Sequence, residues 1–377
     1  MKLGRLLLAV LAGVVLVDVV HAEEIVVGVQ IPLSGPVAAI AGPRARHGVD
    51  IAVQEINSSG MLGPGRTIKA LIEDNAGDKT QAITLANRFM SSDKVSALIG
   101  VFGSGLSVPV APIANDLKTP FLAFGSSPGI VEPGPWGFCL FYQSEKQVAI
   151  TSDLAMGRLG VRSLAIIFDK TNDGSVRMKN SLEAQVRARG GQIVSSDGIT
   201  PTDTNFGPLA TKLASMKFDA LYVESNPAVG ANVFVQVRQA GVGPNVKFLG
   251  APQMNSPVLM QIGGKAVDGM FMPTPYHAGM PSPENKAFVD EFRKRTSSDP
   301  DLPSGGYYAS MMLIAHAIRN AGPGADRQKI RDALAALKNT PSVLGQGKYS
   351  FDVQRFGEYQ DGLVQIADGK AKYVPLN

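Results

Sequence analysis

From Glu23 onward the chain alternates short, β-branched apolar runs with helical patterns, and it does so in two series. The first series has strand runs at Ile25–Ile31, Thr67–Glu73, Val95–Ile99 and Pro120–Phe124, with helices expected near Arg44–Asn57, Lys79–Met90 and Leu106–Leu117. In the middle helix, Asp78 is placed to cap the first turn, and Ala82, Leu85, Ala86 and Phe89 share one face. Strands separated by whole helices cannot pair as hairpins. They pair in parallel, in a doubly wound sheet with helices on both faces.

The Pro/Gly-dense stretch GSSPGIVEPGPWG (Gly125–Gly137) interrupts this rhythm, and YQSEKQ (Tyr142–Gln147) restarts it with Ser144 and Gln147 in capping-box spacing. The second series runs through Ser163–Phe168, helix Ser175–Arg189, Gln192–Ser196, helix Phe206–Met216, Ala220–Val223, helix Ala228–Ala240 and Val246–Leu249. GMFMPTPYHAGMP (Gly269–Pro281) reads as a crossing back. Helices near Pro283–Arg295 and Gly306–Asn320 then rejoin the first lobe, and the turn-punctuated tail returns to the second. The expected fold is α/β, two doubly wound three-layer lobes joined by a three-segment hinge. Residues 23–142 with about 273–342 form one lobe, and about 143–272 with 343–377 form the other. At 377 residues and 45% hydrophobic content, the chain can supply two real cores.

Residues 1–22 read differently. Lys2 and Arg5 precede the apolar run Leu6–Val17, and Val20-His21-Ala22 is a small-residue cleavage signal, so a secretory signal peptide is expected. No later stretch reaches the ~18 continuous apolar residues of a membrane span. Removing the leader leaves 34 basic against 31 acidic residues, spread along the chain. No basic run interleaved with aromatics suggests nucleic acid. Cys139 is the sole cysteine, which excludes an intrachain disulfide, and it lies too far from the cleavage site to carry a lipid.

Catalytic motifs fail on inspection. GVFGSGLS (Gly100–Ser107) follows an apolar run but lacks the lysine of a phosphate loop and the third glycine of a dinucleotide fingerprint. It is at least a tight turn into a helix, whose free N–H groups and hydroxyls suit a carboxylate. GSSPG (Gly125–Gly129) fits G-x-S-x-G with Ser127 at the nucleophile position, yet the next residue is Pro128. A proline has no N–H for an oxyanion hole. His47, His277 and His316 are scattered, so neither a metal nor a cofactor is expected. What remains is geometric: Ser104 and Ser126-Ser127 follow neighbouring strands, and ligands of doubly wound sheets bind outside strand carboxyl ends. Three or four charge-assisted hydrogen bonds, at about 1.5–3 kcal/mol each, would supply most of the ~8 kcal/mol of micromolar binding.

The stretches IVVGVQIPLSGPVAAIAG, GVDIAVQEIN, EDNAGDKTQAITLANRFM, ALIGVFGSGLSVPVAPIANDLKTPFLAFGSS and GYYASMMLIAHAI together resemble the Leu/Ile/Val-type periplasmic binding proteins, the solute-binding components of ABC importers. The resemblance spans nearly the whole chain beyond the leader. It implies a non-enzymatic, monomeric periplasmic receptor that captures a small carboxylate by lobe closure and delivers it to a membrane permease. It also assigns roles. The carboxylate-binding serine falls on Ser104, a second hydroxyl on Ser127, and a backbone carbonyl that accepts from a ligand ammonium on Gly125. The family's aromatic wall positions fall on Asp173 and Asn226. Its ammonium-neutralising acid falls within FLGAPQMN, which offers Pro252 and Gln253 instead. Gly77 and Gly103 stand where some members carry a disulfide. A buried ammonium without a carboxylate is costly. Either Asp173 or Glu224 takes that role, or the ligand has no ammonium; the second option, a hydrophobic or aromatic carboxylic acid, is favoured. Other classes weighed are a ligand-sensing ectodomain, for which a membrane span is missing, and an exported hydrolase.

Overall fold

The computed structural model describes residues 23–375 apart from Pro36. The expected signal peptide lies outside the described residues, as do the side chains of Ile40, Ser144, Glu145 and Asp173. The first sheet contains β1 (Glu23–Ile31), β2 (Arg66–Asp74), β3 (Ala97–Gly100), β4 (Phe121–Ala123) and β5 (Gly137–Cys139). Its order is β2-β1-β3-β4-β5 and every pairing is parallel. Side-chain alternation splits its residues between two cores. Val27, Val29, Ala97, Ile99 and Leu122 pack under helices Ala38–Ser59 and Leu302–Ala321. Leu98, Phe121 and Ala123 face helices Lys79–Asn87 and Ala111–Asp116. Period-2 alternation with apolar residues on both faces is what a sheet sandwiched between helix layers requires.

The second sheet contains β6 (Ser163–Asp169), β7 (Gln192–Ile199), β8 (Ala220–Glu224), β9 (Lys247–Gly250) and β10 (Phe271–Thr274). A small sheet follows, of β11 (Thr340–Pro341), β12 (Lys348–Phe351) and β13 (Gly357–Glu358). Finally β14 (Gly362–Ala367) and β15 (Lys370–Val374) extend the second sheet, giving the order β15-β14-β10-β9-β8-β6-β7. Pairings from β7 to β10 are parallel; β14 and β15 add antiparallel to the β10 edge. Again the faces alternate, with Ala165, Ile167, Leu221 and Val223 in one core and Leu164, Ile166, Ala220 and Tyr222 in the other.

Four local expectations differ from the structure. The helix expected over Leu106–Leu117 is two pieces, Ser104–Ser107 and Ala111–Asp116, because Pro109 and Pro112 interrupt the hydrogen-bond ladder. The π-turn Arg88–Ser92 ends the helix that begins at Lys79. Gln143, not Ser144, is the N-cap of helix Ser144–Asp153. The last crossing also comes later than residue 343: Val343, Leu344, Tyr349 and Phe351 pack in the first lobe's core. Their side chains fill the space beside Phe138, and only β14 and β15 join the second sheet.

The chain thus passes between the sheets after Tyr142, after Thr274 and before Gly362. The crossings are tied together. Tyr142 donates its hydroxyl to Asp361, and its ring lies 5.1 Å from Tyr359. Asp361 is buried, and burial raises its carboxyl well above the usual range.

Candidate functional site

A cleft of about 320 Å3 lies where strand carboxyl ends of both sheets face each other. Its first-lobe wall is built from a short sequence used twice. Phe102-Gly103-Ser104 follows β3, and Phe124-Gly125-Ser126 follows β4. The two turns are bonded to one another: Gly103 N–H donates to the Phe124 carbonyl at 3.0 Å, and Ser126 N–H donates to Ser104 Oγ at 3.2 Å. Their rings stack at 5.0 Å, and Phe141 meets Phe124 edge-on at 4.8 Å.

Glycine suits both turns, for different reasons. Gly103 sits at φ +91°, where a side chain is strained. At Gly125 a Cβ would come within 2.9 Å of Ile130 Cδ1 and 3.1 Å of Ser104 Oγ, so a side chain there would push the serine back. Ser107 fixes the first turn from below, donating its buried hydroxyl to the carbonyls of Val101 and Gly103 at 2.7 and 2.9 Å. The result is a wall of three phenylalanines with polar turns beside it. Tyr142 and Gln147 continue that wall at the first crossing.

The second lobe contributes Asn172, Gly174, Ser175 and Met178 from the β6 end, Glu224 from the β8 end, and Pro252, Gln253 and Asn255–Pro257 after β9. Glu224 is buried, and Gln253 donates its side-chain amide to Glu224 Oε1. Tyr222 donates to Oε2 at 3.3 Å. Burial outweighs these two hydrogen bonds, and nearby Asp169 adds repulsion, so the Glu224 carboxyl is pushed up to about 8. At neutral pH it is largely protonated. The other acid described at the cleft, Asp301, is committed to capping helix Leu302–Ala321 and to an ion pair with Arg44.

The residues singled out in the sequence are thus divided. Ser104, Gly125 and Gln253 line the cleft together with Glu224. Ser127 is not among the lining residues: Pro128 starts a 3-10 turn, and the buried Ser127 hydroxyl accepts from Arg177 Nη2 at 3.3 Å. Asn226 spends its carboxamide oxygen on capping helix Pro227–Gln239 through Val229 N–H at 3.0 Å, and Glu224, two residues earlier, faces the cleft instead. Asp173 opens helix Asp173–Ala188. The three phenylalanines were missed, although the repeated Phe-Gly-Ser was legible. Among the described residues no cluster of His, Cys, Asp and Glu could hold a metal ion, and no helix is long and apolar enough to cross a membrane.

Two lobes that present strand ends to one cleft have the architecture of a clamp around a small solute. The family model of the periplasmic binding proteins matches residues 24–360, and the chain belongs to that family, whose members serve transport as solute-binding components. It is 25% identical over 358 residues to the Leu/Ile/Val-binding protein BraC3 of Rhizobium johnstonii, covering 93% of each chain. Among solved structures it superposes on the branched-chain amino acid transporter substrate-binding protein LivJ of Streptococcus pneumoniae, in complex with isoleucine. The TM-score is 0.82 at 23% identity, over 93% of this chain and 99% of that one. A solute-binding protein of an ABC transporter from R. palustris, in complex with benzoate, gives a TM-score of 0.80 at 22% identity, over 94% and 96%. At such identities the two structures speak for the fold alone.

Proposed function

We infer that the protein is the periplasmic receptor of an ABC importer and captures a small hydrophobic or aromatic carboxylic acid between its lobes. It then hands the acid, chemically unchanged, to a membrane permease. The observation that carries this reading is the charge balance of the cleft. Ser104 and Ser126 offer polar groups for a carboxylate beside the ring wall of Phe102, Phe124 and Phe141. Opposite them stands an acid held neutral rather than a carboxylate awaiting a cation. An ammonium placed there would be desolvated without a counter-charge. That the same fold holds benzoate in a neighbouring structure agrees with this reading.

A second reading, a hydrophobic amino acid with Asp173 or Glu224 as its ammonium partner, draws support from the relatives named for leucine, isoleucine and valine. Calorimetry on protein stripped of ligand separates the two. The first reading expects benzoate or a branched aliphatic acid to bind and leucine not to, with Asp173→Asn having little effect. Leucine binding that collapses in Asp173→Asn would establish the second.

A further inference from the structure

The wall opposite the serines contains a matched pair of neutral polar groups, and nothing in capture of a plain hydrophobic acid requires it. Glu224 is 4% exposed, ends β8 and lines the cleft. Gln253 comes from the next strand's loop and bonds to it. A neutral carboxyl has one O–H to donate. Gln253, having given an N–H to Glu224, keeps an amide oxygen that accepts. Together the pair offers one donor and one acceptor on the same wall of the cleft.

Few chemical groups satisfy both. An ammonium can only donate and brings an unpaired charge. A second carboxylate can only accept and would meet the Gln253 oxygen. A methyl group leaves both protein groups unpaired in a buried site, which costs more than the bonds would have gained. A hydroxyl donates and accepts through one atom, so it fits.

We propose that Glu224 and Gln253 form a specificity subsite for a hydroxyl group carried by the ligand at the end away from its carboxylate, so that the preferred solutes are hydroxylated ring acids. The proposal rests on the carboxylate reading above and narrows it. Tyr222 serves as a positioning residue, since its hydroxyl holds Glu224 Oε2 from within the core at 3.3 Å.

The test compares two probes, benzoate and 4-hydroxybenzoate, by isothermal titration on the full protein, with leucine as control. In the wild type the hydroxyl is expected to raise affinity by about tenfold or more, because a site built for a hydroxyl rejects the analogue that lacks it. In Glu224→Leu and Gln253→Ala this ratio should fall to about twofold or less. Equal affinity of the wild type for the two acids overturns the proposal without any variant, and so does a hydroxyl preference that survives Glu224→Leu. Those outcomes leave the carboxylate reading standing. Binding of leucine with indifference to both ring acids overturns that reading and the subsite with it.

Discussion

Arg177 Nη2 donates to Ser127 Oγ at 3.3 Å, joining a helix packed on the second sheet to the loop that follows β4 of the first. Ser127 therefore serves contact between the lobes in this conformation. Arg177 Nε is buried without a partner, so this side chain is incompletely satisfied as it stands.

The first prediction concerns this contact. Arg177→Ala removes one interlobe hydrogen bond that is partly exposed and hence worth about 1 kcal/mol or less. If the bond favours the closed arrangement, its loss shifts the lobe equilibrium and lowers apparent ligand affinity two- to fivefold. Small-angle scattering should show a larger radius of gyration for the unliganded variant. Unchanged affinity and scattering would reduce the contact to an incidental one.

The second concerns Ser104. Its hydroxyl accepts from Ser126 N–H and borders the cleft, so Ser104→Ala should weaken carboxylate binding by about 1–3 kcal/mol. Titration calorimetry reads this directly, and an unaltered affinity would remove Ser104 from the site.

The third follows from the protonation of Glu224. Its carboxyl has an ordinary value of 4.5 and is raised to about 8 in the folded protein. Between those values the native state holds a proton that the unfolded chain has released. Stability from this group is therefore intact below about pH 4.5 and is lost as pH rises towards 8. Buried Asp361 acts in the same direction, whereas His277 and His316, both lowered by burial, act oppositely in their own acidic range. The difference between wild type and Glu224→Gln isolates the one group. Urea denaturation of ligand-free protein at pH 5, 6.5 and 8 should show the variant gaining on the wild type as pH rises. A pH-independent difference would contradict the assignment.

The fourth concerns the hinge. Tyr142→Phe deletes the donor to buried Asp361 and leaves that carboxyl without its partner, which should destabilise the protein by about 1–3 kcal/mol. A midpoint shift smaller than about 0.5 kcal/mol in equilibrium unfolding would mean that the bond contributes little.

Much of this architecture was readable from periodicity. The two strand–helix series were visible because the central strands are apolar on both faces and helices carry caps or stripes, as β3 and as Asp78 with Ala82, Leu85 and Ala86 show. The break at Val108–Val110 escaped because apolar spacing continued across Pro109 and Pro112. The late third crossing escaped because β12 and β13 have the composition of any short hairpin. Only the packing of Tyr349 and Phe351 reveals their lobe. At the site, turn chemistry led to Ser104, since a strand followed by Gly-Ser has few ways to continue, whereas Gly125 came from the family resemblance. Which second-lobe residue faces the cleft depends on the rotation at each strand end. A capping asparagine such as Asn226 looks the same in sequence whether or not its amide is free. Glu224 was noticed as an acid, but its burial and its tie to Gln253 arise only when β8 and β9 lie side by side.

In the proposed function, the cleft grips a hydrophobic solute by its carboxylate. Titrating ligand-free protein with a series of hydrophobic and aromatic acids, and with their primary amides, tests it most directly. At least one acid should bind at micromolar affinity or tighter, about 8 kcal/mol or more, and its amide far more weakly. Indifference to every acid, or equal affinity for an acid and its amide, would contradict it.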